Sequence, residues 1–445
     1  MSRPSFPFEV RSRDILAIAI PASIAFITEP LSGMVDITVI GRQGDAGLLG
    51  GVVIGALIFS SLFALAYFLR IGTAGLTAQA VGARDPDDGL LHAARAIIIA
   101  VVAGLAMIVL QAPLLWLSTW LMAPGPGVEA AFAAYFGVRI WSAPFSLINF
   151  ALLGWFYGRA AARTGMVLQL LVNAINIIGS VWLVYGLGWG VEGVAFATLA
   201  GHAVAAIIGL ILFLRHYGGL GALLARIAPG ALGEISAVKR MFALSRDLMI
   251  RSIALSIAFG YFAAQGSRLG EVALSANAIL LNFMMISAFF LDGIAQAAEQ
   301  LCGKSVGANW RPAFDRAYRL SFVWGLGISL AMTAFWFVGG GLLIDLMTTS
   351  EPVRAYARDY MAIAALAPLT GMPAFVFDGI LIGITLNVTM RNGMIVALAL
   401  FLVMALTLQP LWGNAGLWVA IHTFFLARAA VYWWALERRK AGLFA

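Results

Sequence analysis

The stretch "PLSGMVDITVIG", Pro30 to Gly41, decides how the chain is read. It sets one aspartate, Asp36, among apolar and small residues. From Ile15 to Ile40 the only ionisable side chains are Glu29 and Asp36. A lone carboxylate at the centre of a membrane helix costs about 2.5–3.5 kcal/mol on translocon insertion scales. A chain keeps such a group where water, polar partners or a bound proton offset that cost. The question is whether the rest of the sequence is membrane-spanning and what it brings to Asp36.

Working outward, the composition answers the first half. The 445 residues are 62% hydrophobic and 11% charged, against about 25% charged in a soluble domain. Mean hydropathy is +0.94. Apolar stretches long enough to cross a bilayer recur along the whole length, without the short alternating segments of a membrane β-barrel. The expected fold is all-α, with twelve transmembrane helices near 15–40, 47–81, 91–122, 128–158, 164–186, 190–214, 242–266, 270–305, 314–346, 355–386, 392–411 and 415–436. The first apolar segment is too long for a signal-peptide core and lacks a small-residue cleavage site. The single cysteine, Cys302, excludes an intrachain disulfide.

The net charge of +7 is not a nucleic-acid signature, because the basic residues fall in alternate loops. Arg3, Arg11 and Arg13 lie in the N-terminal tail. Further groups follow at Arg84 and Arg95, at Arg159 and Arg163, from Arg215 to Arg246, from Lys304 to Arg319, at Arg391, and from Arg438 to Lys440. The intervening loops hold only Arg42, Arg268, Arg354 and Arg358. The positive-inside rule then puts both termini in the cytoplasm.

The chain also resembles itself. Asp36–Ala83 set against Tyr261–Ala308 without gaps pairs Gly41 with Gly266, Leu49 with Leu274, and "VGA" 81–83 with "VGA" 306–308. Further on, "WGVEGVAFA" 189–197 matches "WGNAGLWVA" 412–420. The basic, glycine-rich segment 215–241 divides the copies. The expected organisation is an N-lobe over 1–214, a cytoplasmic linker over 215–241 and a C-lobe over 242–445. An even number of spans per copy implies parallel repeats, two six-helix bundles related by a pseudo-two-fold along the membrane normal.

Several residue groups could carry chemistry. Glu29 precedes Asp36 by seven residues, about 10 Å along one helix face. Asn173, Asn176 and Ser180 form an i, i+3, i+7 stripe on the fifth span, and Thr198 lies on the sixth. Asp292, Glu299 and Asp378 are acids within C-lobe spans, with Asp378 between Pro373 and Gly383. Arg70 and Arg251 are expected to snorkel to the interface. Gln79, Asn149, Asn277 and Asn282 are candidate cavity linings. His202 and His422 are expected to be packed and hydrogen-bonded. No Walker loop, zinc signature or nucleophile elbow is present. The chain is therefore not expected to be an enzyme or to hold a metal or cofactor; a membrane-embedded two-aspartate enzyme is the distant alternative.

The quoted stretch, with "LGGVVIGALIFSSLFALAYFLRIGTAGLTAQAVGA" (49–83) and "NAINIIGSVWLVYGLG" (173–188), resembles the DinF-like branch of the multidrug and toxic compound extrusion (MATE) family. So do "FLDGIAQAAEQLCGKSVGA" (290–308) and "FDGILIGITLNVTMRNGM" (377–394) in the second half. The resemblance implies two six-helix lobes, alternating access, and export of organic solutes driven by inward H⁺ or Na⁺ flow. Its aspartate matching Asp36 is the central coupling residue, and Asn176 and Thr198 match polar partners of that aspartate. Ser180 stands where those relatives carry a second aspartate. Losing that carboxylate weakens a Na⁺ site, so H⁺ is the expected coupling ion and Na⁺ the alternative. Other branches of the family use C-lobe acids for ion coupling, which makes Asp378 the best such candidate here, with Asp292 a further one. A lipid-linked precursor flippase of the same superfamily is a further alternative. It calls for a cationic cavity, whereas the intramembrane charges singled out above are mostly acidic. The expected setting is the inner membrane, as a monomer among membrane lipids, with a small organic substrate.

Overall fold

Helix is the regular structure that a single apolar segment can form in lipid with every backbone group satisfied within itself. The computed structural model describes residues 4–227, 232 and 235–444, with the backbone alone for 235–245. Its helices are α1 (Ser12–Gly41), α2 (Ala46–Ala66), α3 (Phe68–Gly82), α4 (Pro86–Val109), α5 (Gln111–Met122), α6 (Pro126–Arg139), α7 (Ala143–Gly158), α8 (Ala162–Val181) and α9 (Gly190–His216). Then come α10 (Leu220–Arg226), α11 (Ile235–Arg268), α12 (Glu271–Gly307), α13 (Arg311–Met347), α14 (Glu351–Ala365), α15 (Ala367–Gly383), α16 (Asn387–Trp412) and α17 (Asn414–Arg439). Short side chains start two of them. Asp45 accepts from the backbone of Gly47 and Leu48 at 2.7 and 3.2 Å, and Asp85 accepts from Asp87 and Asp88 at 3.2 and 2.9 Å.

Among the described residues, eleven helical stretches are long and apolar enough to cross a membrane. A twelfth span results when α14 and α15, bent by 43° at Leu366, are taken together. Pro368 follows the break and can neither donate to α14 nor continue its ladder. Outward-facing side chains are apolar: Val338 is 89% exposed and Val109 80%. A water-soluble protein does not present such a surface around its whole body. The chain is a multi-pass membrane protein.

The chain divides into two compact units. One holds Ile24–Ala80 and Asp85–Ser245; the other holds Met1–Ser23, Val81–Arg84 and Arg246–Ala445. Helix α1 is continuous but changes unit after Ser23, two residues past Pro21. Of the expected linker 215–241, residues 228–231 and 233–234 lie outside the described residues. The rest includes α10 and the start of α11.

The core of the first unit gathers Phe59, Phe132, Phe136, Trp155 and Phe213. In the second, Phe283 stacks on Trp336 at 4.3 Å, and Trp336 Nε1 donates to Ser287 Oγ at 2.8 Å. A shared contact positions both. Gly154 and Gly158 on α7 press against the carbonyls of Arg70 and Ala74 on α3. Gly379 and Gly383 on α15 press against those of Ala295 and Glu299 on α12. A Cβ at any of the four would overlap the carbonyl oxygen. Adding 225 to 70, 74, 154 and 158 gives 295, 299, 379 and 383, the shift that pairs Asp36–Ala83 with Tyr261–Ala308. This is a small-xxx-small contact made twice in one register. The turns after these helices repeat as well. Arg84 and Asn309 have φ of 56° and 49°, and Ala160 and Thr385 have φ of 61° and 58°.

Candidate polar sites within the two units

In the first unit, α1, α8 and α9 bring the quoted stretch against the asparagine stripe. Ser180 Oγ donates to Asp36 Oδ1 at 2.8 Å, and Asn176 Nδ2 donates to Asp36 Oδ2 at 3.2 Å. Asn176 Nδ2 also reaches Thr198 Oγ1 at 2.8 Å, and Ser32 Oγ donates to Asn176 Oδ1. One turn away, Asn173 Nδ2 donates to Thr28 Oγ1 at 2.9 Å. Asp36 is 9% exposed and Asn176 1%. The i, i+3, i+7 spacing on α8 is what aligns these three side chains on the α1 face. Past Ser180, α8 widens into a π-turn, Trp182–Gly186, and Tyr185 OH donates to the Val39 carbonyl at 3.0 Å.

Asp36 has no ion-pair partner among the described residues. Arg139 is the cation that acts on it. That guanidinium is held elsewhere, donating to Ser142 and lying 5.2 and 5.4 Å from the rings of Phe59 and Phe63. Glu29 is exposed rather than packed in this cluster, and Arg70 is its electrostatic partner. Arg70 lies over Phe26 and Tyr67 at 4.7 and 4.6 Å.

In the second unit the position matching Asp36 is Tyr261, whose ring packs edge-on against Phe401 at 5.9 Å. The polar centre lies elsewhere. Arg251 Nη2 on α11 meets Asp378 Oδ2 on α15 at 2.6 Å, and Arg428 Nη2 on α17 lies 3.4 Å from the same oxygen. Arg251 therefore does not snorkel, as its sequence position suggested, but closes a buried ion pair. The intramembrane charges are correspondingly less acidic than the sequence reading held. Asp292 on α12 is half-buried and acts on Arg251.

Asn277 is likewise structural. It exchanges hydrogen bonds with Asn414 at 2.7 and 3.0 Å and accepts from Trp418 Nε1 at 3.0 Å. Asn149 Nδ2 donates to the His202 carbonyl at 2.9 Å. His422 pairs with Thr370 Oγ1 at 2.8 Å and with the Ile363 carbonyl at 3.0 Å. Sequence reasoning passed over Ser32, Arg139 and Arg428. The two arginines carry the same signal as Asp36, a single charge inside an apolar run ("YFGVRIW", "FLARAAV").

The MatE family model matches residues 21–182 and 248–411, one segment in each half. The DNA damage-inducible protein F of Escherichia coli is 34% identical over 425 residues, covering 95% of this chain and 91% of that protein. The probable multidrug resistance protein NorM of Chromobacterium violaceum is 23% identical over 457 residues, covering 94% of each. A crystal structure of MATE in the straight conformation superposes with a TM-score of 0.87 at 20% identity, covering 97% of this chain and 96% of that one. The chain belongs to the MatE family of membrane transporters and is not an enzyme.

Proposed function

We propose that the protein is a secondary antiporter that exports organic drugs or toxic metabolites by alternating access, driven by inward H⁺ flow with Asp36 as the main coupling site. One contrast carries the reading. Asp378 is a buried carboxylate locked against two arginines. Asp36 is a buried carboxylate held by neutral donors alone, Ser180 and Asn176. Neutralising a carboxylate beside a guanidinium strands a buried cation, whereas one held by hydroxyl and amide groups can exchange a proton without doing so. The names of the relatives support the export of drugs.

Asn173, Asn176, Ser180 and Thr198 supply the polar surroundings of the coupling site, and Glu29 is the accessible acid on the same helix. Asp378 and Asp292 form the ionic centre of the second unit. The N-lobe, linker and C-lobe keep the bounds read from the sequence, 1–214, 215–241 and 242–445, save that Met1–Ser23 and Val81–Arg84 group with the second unit, and both termini lie in the cytoplasm of a cell whose inner membrane holds the protein as a monomer. Protonation of Asp36 removes its need for polar partners and changes the bend of α1 near Pro21 and Pro30. Each proton brings about 2.3 kcal/mol at 100 mV, comparable to the few kcal/mol that separate alternating states.

The test is dye efflux from proteoliposomes under an imposed H⁺ gradient and, separately, an imposed Na⁺ gradient. Efflux with H⁺ alone is expected. Efflux with Na⁺ alone overturns proton coupling, and none with either overturns antiport.

A further inference from the structure

The N-terminal tail holds the two copies of one repeated turn. The first copy is "VGAR" (81–84) and the second "VGAN" (306–309). Both lie with the tail in the second unit, although the chain up to Ala80 and from Asp85 belongs to the first. A Cβ on Gly82 would overlap the Lys304 carbonyl oxygen and the Ala308 nitrogen, so the copies touch backbone to backbone. Phe6 reaches both. Its N–H donates to the Ala308 carbonyl at 2.9 Å, and its ring centroid lies 4.8 Å from the Arg84 guanidinium carbon. Phe8 takes a second cation, with Lys304 Nζ 4.4 Å from its ring centroid. Phe6 and Phe8 are half-buried, Pro7 between them is exposed, and Val10 is fully packed. None of these contacts is a salt bridge. A ring face attracts a cation without a fixed geometry, and only modestly where water reaches the charge. Such a clasp can open and close, whereas parting a buried ion pair is strongly unfavourable. The segment leads into α1, which carries Asp36 and changes unit after Ser23.

We propose that segment 6–8 is a releasable strap that holds Val81–Arg84 in the second unit, and that export requires it to let go. The proposal rests on the alternating-access reading and adds a control to it. While the strap is closed, Gly82 stays packed on the last turn of α12. When it opens, water replaces the rings around Arg84 and Lys304, and the Gly82 contact can part. Val81–Arg84 is then free to move with the first-unit chain on either side of it. The backbone is continuous from the strap through Ser12 to Ser23, so a change in the bend of α1 is passed directly to the strap.

A disulfide can lock the strap, because the bond from Phe6 N to the Ala308 carbonyl keeps their Cα atoms within the about 7 Å that a disulfide spans. In a C302S background, which removes the native thiol, F6C/A308C is oxidised with copper phenanthroline. Proton-driven dye efflux from proteoliposomes should fall at least tenfold and return with dithiothreitol, a recovery that a merely structural contact would not give. In A308C/C302S the single thiol is buried under the strap. Adding F6A/F8A should speed its labelling by a hydrophilic maleimide several-fold, read in detergent without a gradient. If F6A/F8A fails to elute as a monodisperse species, K304Q, which removes one clasp, supplies the labelling rate. Efflux untouched by the crosslink overturns the proposal, as does a labelling rate unmoved by loss of the rings. A cysteine pair that does not oxidise contradicts the contact and overturns it too. Faster labelling with no efflux from any of the proteins refutes antiport and leaves the strap standing. Efflux that ignores the crosslink, with labelling unmoved, refutes the strap alone.

Discussion

Ser180 donates its hydroxyl to Asp36 across 2.8 Å, joining residues 144 positions apart in the chain. The resemblance places a second carboxylate where Ser180 stands. With serine the site holds one carboxylate and two donors, Ser180 and Asn176; with aspartate it would hold two carboxylates and the Asn176 donor alone. That single difference bears on which cation the site can take, because Na⁺ binding depends on oxygen ligands with charge to spare. Ser180→Asp is therefore expected to create a Na⁺-dependent rise in melting temperature that wild type lacks. Melting curves of both proteins in NaCl and in choline chloride would decide it, and identical curves for the variant would count against the assignment.

Asp36→Asn keeps the shape of the side chain and removes its charge and its proton. Proton-driven dye efflux should drop at least tenfold while the protein stays monodisperse and melts no lower than wild type. The stability arm follows from burial, since a charge that had to be offset is gone. Wild-type efflux in this variant would move coupling away from Asp36.

The glycine contacts on α7 and α15 predict steric damage. Gly158→Ala and Gly383→Ala each push a methyl group into a backbone carbonyl, and overpacking of this kind costs about 1–3 kcal/mol. Gly72→Ala on α3 meets nothing within 4 Å and should be neutral or slightly stabilising, as alanine favours helix over glycine by about 0.5–1 kcal/mol. Parallel thermal melts of the three variants test the ranking. If Gly72→Ala destabilised as much as the other two, the contact would not be the cause.

Asn277 closes a buried three-residue network with Asn414 and Trp418. Asn277→Ala leaves an amide and an indole N–H without their acceptor in the core, at about 1–3 kcal/mol each. A loss of several degrees in melting temperature is expected. Double substitution of Asn277 and Asn414 by leucine should recover part of it, because it removes the orphaned Asn414 amide and leaves only the Trp418 indole N–H unmet. No recovery would show that the site needs its polar atoms for something other than mutual satisfaction.

What the sequence determined by itself was one-dimensional. Twelve spans follow from hydropathy, since lipid tolerates few polar residues on a helix that crosses it. Asp36 and Asp378 stand out because a single charge in an apolar run is costly wherever the helix goes. The duplication shows in "VGA" and, at a 223-residue shift, in the matched tryptophan–glycine segments, and the glycine contacts repeat the 225-residue shift of "VGA". The stripe Asn173, Asn176 and Ser180 was legible because helical periodicity fixes a common face. Partners were decided only in three dimensions. Arg251 and Asp378 lie 127 residues apart, and no local pattern distinguishes an arginine that snorkels from one that turns inward to a carboxylate. The break between α14 and α15, the π-turn after α8 and the passage of α1 between units were also settled by packing. Two buried aspartates that read alike in sequence differ in setting: one folds against serine and asparagine and the other against two guanidiniums. Low-dielectric surroundings magnify that difference.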